Sequence, residues 1–309
     1  MAGSGMQDIK RRIQSITSIE HITNAMRLVS AAKLVRAKAE YEATTEYFSD
    51  VVNSIDSIFS QKGEIPERYL SEGRELKKTC YVVVTSNRGL AGSFNANVSK
   101  EVDALRAADT EEPVFVFAGT RGRDYYKRRG YEALALYTGA PEDVTFSDAL
   151  ALGRPVIKLY EAGEIDRVVL VYNMFKSSLE QKVTSIQLLP FGESEEEAGG
   201  GAGSAGGTGE EGKADSASKG EKSMEVEYEP SAKAVFEYLI PKYLEIVIYK
   251  SIVESAYCEH TARRTAMQNA TDNAKEMMDD LNLYYNRARQ AAITSEITEI
   301  VSGADALNG

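Results

Sequence analysis

The sequence has 309 residues, and 43% of them are hydrophobic, enough to bury the core of one large domain or two modest ones, so wholesale disorder is excluded. No run of 18 apolar residues lacks a charge, and residues 1–10 lack the apolar block of a secretory signal, so we expect a soluble intracellular protein. The two cysteines, Cys80 and Cys258, lie far apart without a CxxC or Cys/His cluster, which argues against a disulfide framework or a zinc site and favours two buried thiols.

The net charge of −11 is unevenly distributed along the chain. Residues 192–229 contain eleven acidic residues and three lysines, a net −8, whereas residues 1–40 contain seven basic and three acidic residues, a net +4. The basic N-terminal segment suggests an acidic partner surface, although a solvated helix face would have the same composition.

The first element is a long helix. Apolar residues recur from Ile9 at steps of three and four, which is one face of a helix. These residues are Ile13, Ile16, Ile19, Ile22, Met26 and Val29. No Pro or Gly interrupts residues 6–60, so we predict one helix to about Ser60, roughly 80 Å long.

The middle of the chain changes to short runs of β-forming residues separated by helical stretches. The predicted strands are Tyr81–Thr85, Val114–Phe117, Val168–Tyr172 and Gln181–Leu189. The predicted helices between them are Asn97–Ala108, Arg123–Arg129 and Phe146–Ala162. Alternation of strand and helix indicates a small Rossmann-like α/β layer.

A Gly-rich segment follows the last strand. Residues 192–223 contain ten glycines and almost no large apolar side chain, so they cannot bury enough surface to order themselves. We expect a flexible acidic insert.

The last element is a second long helix. Its apolar residues alternate steps of three and four, as in the heptad seam of a coiled coil. These residues are Met267, Ala270, Ala274, Met277, Leu281, Tyr284, Ala288 and Ala291. We predict that Pro241 marks the first turn and Gly303 the end, for a helix of roughly 90 Å.

The helix lengths determine the predicted architecture. A compact globule of this size would be about 50 Å across, so helices of 80–90 Å must project from it. The fold class is therefore α/β, with a long antiparallel coiled coil of the N- and C-terminal helices and a small Rossmann-like domain. A dimer that pairs like helices is the alternative. The expected domains are residues 1–62, the N-terminal helix; 76–191, the α/β domain; 192–227, the insert; and 228–309, the C-terminal helix.

One turn occupies the position where an α/β domain holds a phosphate. Ser86–Asn95 (SNRGLAGSFN) follows a strand and precedes a helix, yet its glycines fit neither GxGxxG nor GxxxxGK[ST]. Gly119–Gly122 (GTRG) fails the same tests. We interpret both as structural turns and expect no cofactor, and the two histidines, His21 and His260, lie in the long helices rather than in a cleft.

Three motifs resemble the γ subunit family of F-type ATP synthases. The N-terminal stretch Ile9–Met26, continuing through Ala31–Leu34, resembles that family's first helix, and Ile293–Ala306 (ITSEITEIVSGADA) resembles its C-terminal signature, preceded by Ala266–Asn273. Ser86–Asn95 is similar to the family's turn after the first strand. The likeness covers nearly the whole chain except the insert.

The resemblance implies a non-catalytic rotor. In that family the paired helices stand inside a ring of three α and three β subunits, and the α/β domain rests on the ε subunit and the membrane c-ring. Ion flow would turn the shaft, and its asymmetric surface would bias each catalytic subunit toward a different conformation. The absence of an Arg-rich, acid-poor presequence favours a peripheral protein at the cytoplasmic face of the bacterial plasma membrane, although a mature organellar chain would look similar. We expect no nucleic-acid partner.

The resemblance also implies partner-contact residues. Those matching positions of shaft contact and torque transfer are Met26, Arg263, Arg289, Gln290, Thr294 and Glu296, and those matching positions near the c-ring are Tyr228 and Glu229. For Met26 plain coiled-coil packing is the alternative, and for Glu229 a solvated acid.

Three departures from the family pattern stand out. His21 replaces a usual Lys, Asn87 replaces a usual Asp, and the insert lacks the cysteines of the chloroplast regulatory segment. Two other functions stay open on sequence alone: a nucleotide-dependent α/β enzyme and a structural coiled-coil tether.

Overall fold

The computed structural model describes residues 2–59, 66–70, 77–107, 109–177, 180–191 and 231–308. The chain divides into two compact units. The first contains residues 1–35, 90–92 and 260–309, and the second contains residues 36–89 and 93–259. The domain boundaries expected from the sequence remain a prediction, and the insert 192–227 lies outside the described residues.

The helices and strands follow in the expected order. The helices are α1 (Ala2–Phe59), α2 (Phe94–Arg106), α3 (Thr120–Lys127), α4 (Phe146–Glu161) and α5 (Ala232–Asn308). The strands are β1 (Thr79–Val84), β2 (Val114–Ala118), β3 (Ala133–Tyr137), β4 (Arg167–Phe175) and β5 (Gln181–Leu189). Helix α1 has 58 residues and α5 has 77.

The five strands form one sheet in the order β3-β2-β1-β4-β5. Strands β1 to β4 are parallel to their neighbours, and β5 pairs antiparallel with β4. This confirms the expected Rossmann-like α/β domain beside long N- and C-terminal helices.

The two faces of the sheet are buried by different helices. One face packs on α4 and α5, and its core includes Val82, Leu170, Leu152 and Ile248. The opposite face packs on α2 and α3 around the aromatic side chains of Phe115, Phe117 and Tyr126. Consecutive residues of β1 alternate between these cores, as the pleat of a strand requires.

Strand β3 was not predicted from the sequence. Its residues are Ala-Leu-Ala-Leu-Tyr, and alanine and leucine favour helices more than strands. The strand forms because its backbone completes the edge of the sheet beside β2. Pairing therefore overrides local propensity here.

Both predicted ends of the C-terminal helix were wrong. Helix α5 begins nine residues before Pro241, which lies inside it, and it continues past Gly303 to Asn308. Proline removes one backbone donor but its fixed φ fits a helix, so packing of the residues on either side can carry the helix through it. Gly303 is absent from the left-handed residues among the described glycines and therefore forms no left-handed cap.

The predicted apolar seam of α5 is correct at five of its eight positions. From residue 267 onward, the buried or half-buried positions of α5 include Met267, Thr271, Ala274, Met278, Leu281, Tyr285, Ala288 and Ala292. They follow a strict heptad. The predicted Ala270 is half-buried beside Thr271, whereas Met278, Tyr285 and Ala292 replace the predicted Met277, Tyr284 and Ala291. Of the predicted residues that are replaced, Met277 and Tyr284 are 55% and 58% exposed.

Helix α1 shows a similar displacement. Ile9, Ile13 and Ile16 are half-buried as predicted, whereas Ile19, Ile22 and Val29 are 49%, 59% and 58% exposed. The inward positions beyond Ile16 are partly polar and include Glu20, Thr23, Arg27 and Ser30. Hydrophobicity alone could not identify this seam, because its polar members are stabilised by hydrogen bonds rather than by apolar contact.

Within the described residues, no helix combines the length and the apolar composition needed to span a membrane.

Candidate functional site

The first unit contains two helical segments that run antiparallel. Thr17 Oγ1 lies 3.3 Å from Met278 Sδ, and Thr271 Oγ1 lies 2.9 Å from Thr23 Oγ1. Moving six residues up α1 therefore moves seven residues down α5. At this register the first residue of α1, Ala2, stands opposite residues 292–293 of α5.

The end of α5 consequently extends beyond α1. Among the side chains of α5 that the structure describes, Ala292 is the last half-buried one, and every residue from Ile293 to Ala304 is exposed. The helix nevertheless continues to Asn308, so its last 16 residues form about 24 Å of helix without the support of α1. Four large apolar side chains lie on this extension: Ile293, Ile297, Ile300 and Val301 are 48%, 56%, 66% and 53% exposed.

Helix α1 of the same unit also carries exposed apolar residues. Ile19, Ile22, Leu28, Val29 and Val35 are 49% to 72% exposed. Scattered exposed apolar side chains are normal, but a helical extension with several in four turns is typical of a surface that another protein covers. We call residues 293–304 of α5 the exposed helix end.

Four of the residues assigned from the family resemblance lie at or beside the exposed helix end. Arg289, Gln290, Thr294 and Glu296 are all exposed. The Thr294 hydroxyl donates to the Gln290 carbonyl oxygen at 2.9 Å, a bond within the helix that leaves the rest of both side chains free for a partner. The structure thus brings these four residues together on one stretch of helix.

The remaining assigned residues occupy other environments. Met26 is half-buried, and its carbonyl oxygen accepts a hydrogen bond from Ser30 Oγ at 2.7 Å. Arg263 is only 7% exposed, and its Nη1 lies 3.4 Å from His260 Nδ1. Tyr228 and Glu229 lie outside the described residues.

Ile297 and Ile300 were not assigned as contact residues from the sequence, although both lie in the C-terminal signature. Their significance depends on where α1 begins relative to α5. That start can be read only from the antiparallel register of the two helices, and the sequence-based seam of α5 was offset by one residue at three of its eight positions.

The turn after β1 has the geometry of a phosphate site but its donors are already used. The first three backbone amides of α3 donate to other groups of the chain. Thr120 N donates to Asn87 Oδ1 at 3.0 Å, Arg121 N to the Ser86 carbonyl oxygen at 3.1 Å, and Gly122 N to Thr85 Oγ1 at 2.9 Å. A helix N-terminus binds anions through free amides, and here the side chain of Asn87 occupies the place of the anion.

Close packing reinforces this arrangement. Gly119 has φ of 102°, and a Cβ at this position would lie 2.1 Å from the Thr85 carbonyl oxygen, so only glycine fits. The cavity beside Thr85, Asn87 and Gly119 has a volume of about 10 Å³. That is room for about one water molecule, whereas small-molecule pockets measure roughly 300–1,000 Å³.

A larger groove of about 280 Å³ lies between α4 and α5. Three of its charged side chains are engaged in ion pairs: Lys242 Nζ lies 2.9 Å from Glu245 Oε2, and Glu237 Oε1 lies 3.2 Å from Arg68 Nη2. Among the residues that the structure describes, no three His, Cys, Asp or Glu side chains cluster to hold a metal ion.

Comparison with known proteins identifies close relatives along nearly the full length. A family model described as ATP synthase matches residues 5–307. The chain is 44% identical to the ATP synthase gamma chain of Alkaliphilus metalliredigens over 306 residues, covering 99% of both chains. It is 40% identical to the sodium ion specific ATP synthase gamma chain of Acetobacterium woodii, covering 98% of this chain and 99% of the relative.

Solved structures share the fold at lower sequence identity. A chain from the OSCP/F1/c-ring part of the Euglena gracilis mitochondrial ATP synthase matches with a TM-score of 0.63 and 16% identity, covering 99% of this chain and 95% of the other. A chain from the Tetrahymena thermophila mitochondrial ATP synthase central stalk and c-ring matches with a TM-score of 0.58 and 20% identity, covering 81% and 99%.

Proposed function

The chain belongs to the ATP synthase γ chain family, and from this premise we propose that the exposed helix end is the part of the central stalk that its F1 complex encloses. The chain acts as the central stalk of F1, joining rotation of the c-ring to conformational change in the ring of α and β subunits. Its partners are α, β, ε and the c-ring.

One observation carries the proposed contact surface. The C-terminal end of helix α5 extends about four turns beyond the N-terminal end of α1. Those turns expose four large apolar side chains to solvent. These turns continue a helix that is already nucleated, so they need no partner to stay helical. Their exposed apolar side chains gain free energy when another surface removes them from water. A sleeve formed by α and β subunits supplies such surfaces, and Arg289, Gln290, Thr294 and Glu296 would meet them.

The other assigned contacts follow the same proposal. Met26 would meet a β subunit with the exposed part of its half-buried side chain. Arg263 would act through its packed position beside His260, because little of its side chain is accessible. Tyr228 and Glu229 would approach the c-ring.

We further propose that the chain holds no catalytic site and that the catalytic sites of the complex lie in its partners. The amides at the start of α3, which would bind a phosphate in a nucleotide enzyme, are bonded to Asn87, Ser86 and Thr85. Calorimetric titration of the isolated chain with ATP tests this proposal. Micromolar affinity would favour the nucleotide-enzyme alternative.

The location at the membrane is also a proposal. Association with the c-ring would place the chain at the cytoplasmic face of a bacterial plasma membrane, held by protein contacts. Its co-sedimentation with membranes should then depend on an intact c-ring. Sedimentation with lipid vesicles that lack the c-ring would contradict the proposal.

Reconstitution tests the contact surface. Adding the chain to α and β subunits should raise ATPase turnover, and removing residues 293–309 should abolish most of that rise. Because the removed residues lie beyond the start of α1 and contact none of it, the melting temperature of the isolated chain should hardly change. Full stimulation by the truncated chain would refute the assigned surface, and failure to recruit α, β and ε would favour a structural tether.

A further inference from the structure

Strand β4 extends beyond its parallel neighbour β1 at its C-terminal end. Strand β1 pairs with β4 from Arg167 to Val171, whereas β5 pairs with β4 on the other side as far as Phe175. The residues of β4 that face the β1 side beyond Val171 therefore have no neighbouring strand to bond within the part of the chain that the structure describes. Asn173 and Phe175 are those residues, because alternate residues of a strand direct their backbone groups to the same side.

Helix α5 supplies the missing hydrogen-bond partners. Asn173 N donates to Ser255 Oγ at 3.1 Å, and the Ser255 hydroxyl lies 3.5 Å from the Asn173 carbonyl oxygen. Phe175 N donates to Glu254 Oε1 at 3.0 Å. Two consecutive side chains of α5 thus continue the backbone ladder of the sheet for two more rungs.

The contact is dry, so its bonds cannot be exchanged freely for water. Asn173 and Ser255 are each 3% exposed, and Glu254 is 5% exposed. Burial raises the pKa of the Glu254 carboxyl, while the Phe175 amide, the Lys250 ammonium and the Tyr172 hydroxyl oppose that rise. A buried acid is a costly choice for a helix surface, and a leucine would pack there without that cost.

Apolar packing around this contact opposes separation of α5 from β4 but does not fix the position of α5 along or around its axis. The neighbouring surface of β4 and α5 includes the rings of Phe175 and Tyr257, 4.5 Å apart, and the side chain of Tyr172. Dispersion contacts are non-directional, whereas hydrogen bonds weaken steeply when their angle changes. The Glu254 and Ser255 bonds are therefore the parts of the contact that fix the rotational position of α5 on the sheet.

We propose that Glu254 and Ser255 form a clasp that transmits turning force between the sheet and helix α5 when the stalk rotates. The proposal rests on the central-stalk function and deepens it by naming the residues that carry load inside the chain. Both are positioning residues: they act through the backbone of β4 and touch no nucleotide.

Four variants distinguish loss of the clasp hydrogen bonds from a general loss of stability. Glu254→Gln keeps an acceptor for Phe175 N, whereas Glu254→Met keeps the approximate side-chain volume and removes the carboxylate acceptor. Ser255→Ala is a milder second test. Ser251→Ala is the matched control, because Ser251 is equally buried on α5 but its hydroxyl donates to the Ile248 carbonyl oxygen of its own helix at 2.9 Å.

The test uses the assembled complex with a visible probe on the sheet domain, attached through Glu112→Cys in the exposed segment before β2. The measurement is the angular spread of the probe during the pause before ATP binds, together with hydrogen exchange of the Asn173 and Phe175 amides. Glu254→Met should widen the spread and speed exchange of the Phe175 amide about tenfold, the factor that corresponds to about 1.4 kcal/mol. Ser255→Ala should do the same at Asn173, and Glu254→Gln and Ser251→Ala should match the unmodified complex.

The possible results distinguish the clasp from the function on which it rests. An unmodified chain that does not rotate in the complex would overturn the central-stalk function and the clasp together. A rotating complex in which Glu254→Met and Ser255→Ala leave the angular spread unchanged would overturn the clasp alone, whether or not exchange accelerates. Equal broadening by Ser251→Ala would also overturn it, because the effect would then follow from loss of packing.

Discussion

The exposed helix end makes a quantitative prediction about assembly. Ile297 and Ile300 are 56% and 66% exposed in the isolated chain, so covering both would bury slightly more than one full isoleucine side chain. Burial of an isoleucine contributes about 1.5–3 kcal/mol. Replacing both by serine should therefore weaken binding to the α and β ring by about 3 kcal/mol, roughly a hundredfold.

The same substitution should leave the isolated chain nearly unchanged. Neither side chain is buried, and the intrinsic helix propensities of serine and isoleucine are similar. The melting temperature of the double variant should stay within a few degrees of the unmodified chain, since about 1 kcal/mol shifts a domain of this size by roughly 2–4 °C.

The assay is dissociation of the fluorescently labelled chain from the assembled ring, followed after dilution with unlabelled chain as competitor. Most differences in affinity among variants of one interface lie in the dissociation rate, so this rate should rise by about the full factor. Thr298→Ala is the matched control, because Thr298 lies on the same turns and donates to the Thr294 carbonyl oxygen within the helix. Equal dissociation rates for the double variant and the control would refute the assignment of these turns to the enclosed surface.

Three further substitutions test the α/β domain. Asp109→Ala should lower the free energy of unfolding by about 3 kcal/mol in urea titrations, because the Asp109 side chain is 3% exposed and lies 2.8 Å from Arg167 Nη2; a loss below 1 kcal/mol would show that the pair contributes little. Asn87→Asp should cost about 1–2 kcal/mol at neutral pH and recover part of it near pH 4, since a carboxylate cannot donate to the carbonyl oxygens of residues 138–139; an unchanged melting temperature would contradict this. Burial raises the pKa of the Cys80 thiol to about 12 from an ordinary value of 9.0, so the unfolded chain loses this proton first and stability falls as pH rises above about 9. Cys80→Ser should remove about 1.4 kcal/mol of the destabilisation between pH 8 and pH 10, and identical pH slopes in the two proteins would argue against the burial effect.

Most of the element order could be predicted from the sequence because the strong local signals agreed with the tertiary structure. The runs VVV in β1, VFVF in β2 and VVLV in β4 form central strands, and β5 begins and ends at the predicted residues. Strand β3 is different, since its pairing partner determines its conformation. Pro241 and Gly303 are local signals that packing and helix continuity overrode.

The partner surface was harder to predict than the fold. Hydrophobicity places Ile19, Ile22 and Val29 in the seam of α1, but these side chains are exposed and Thr23 lies inside. Thr271 is buried because its hydroxyl lies 2.8 Å from the Met267 carbonyl oxygen as well as close to Thr23. Assigning apolar residues to the contact between the two helices therefore fails where some of those residues lie on a surface that another chain is proposed to cover.

The occupied turn after β1 has a consequence for a protein that works beside nucleotide-consuming subunits. The Asn87 side chain fills this turn. Its Oδ1 accepts a hydrogen bond from Thr120 N at the start of α3, and its Nδ2 donates to the carbonyl oxygens of residues 138–139. An α/β layer of this type could otherwise compete for the ATP and ADP that its neighbours handle. The first three amides of α3 are bonded within the chain and so do not face the phosphates of the nucleotides that neighbouring subunits handle.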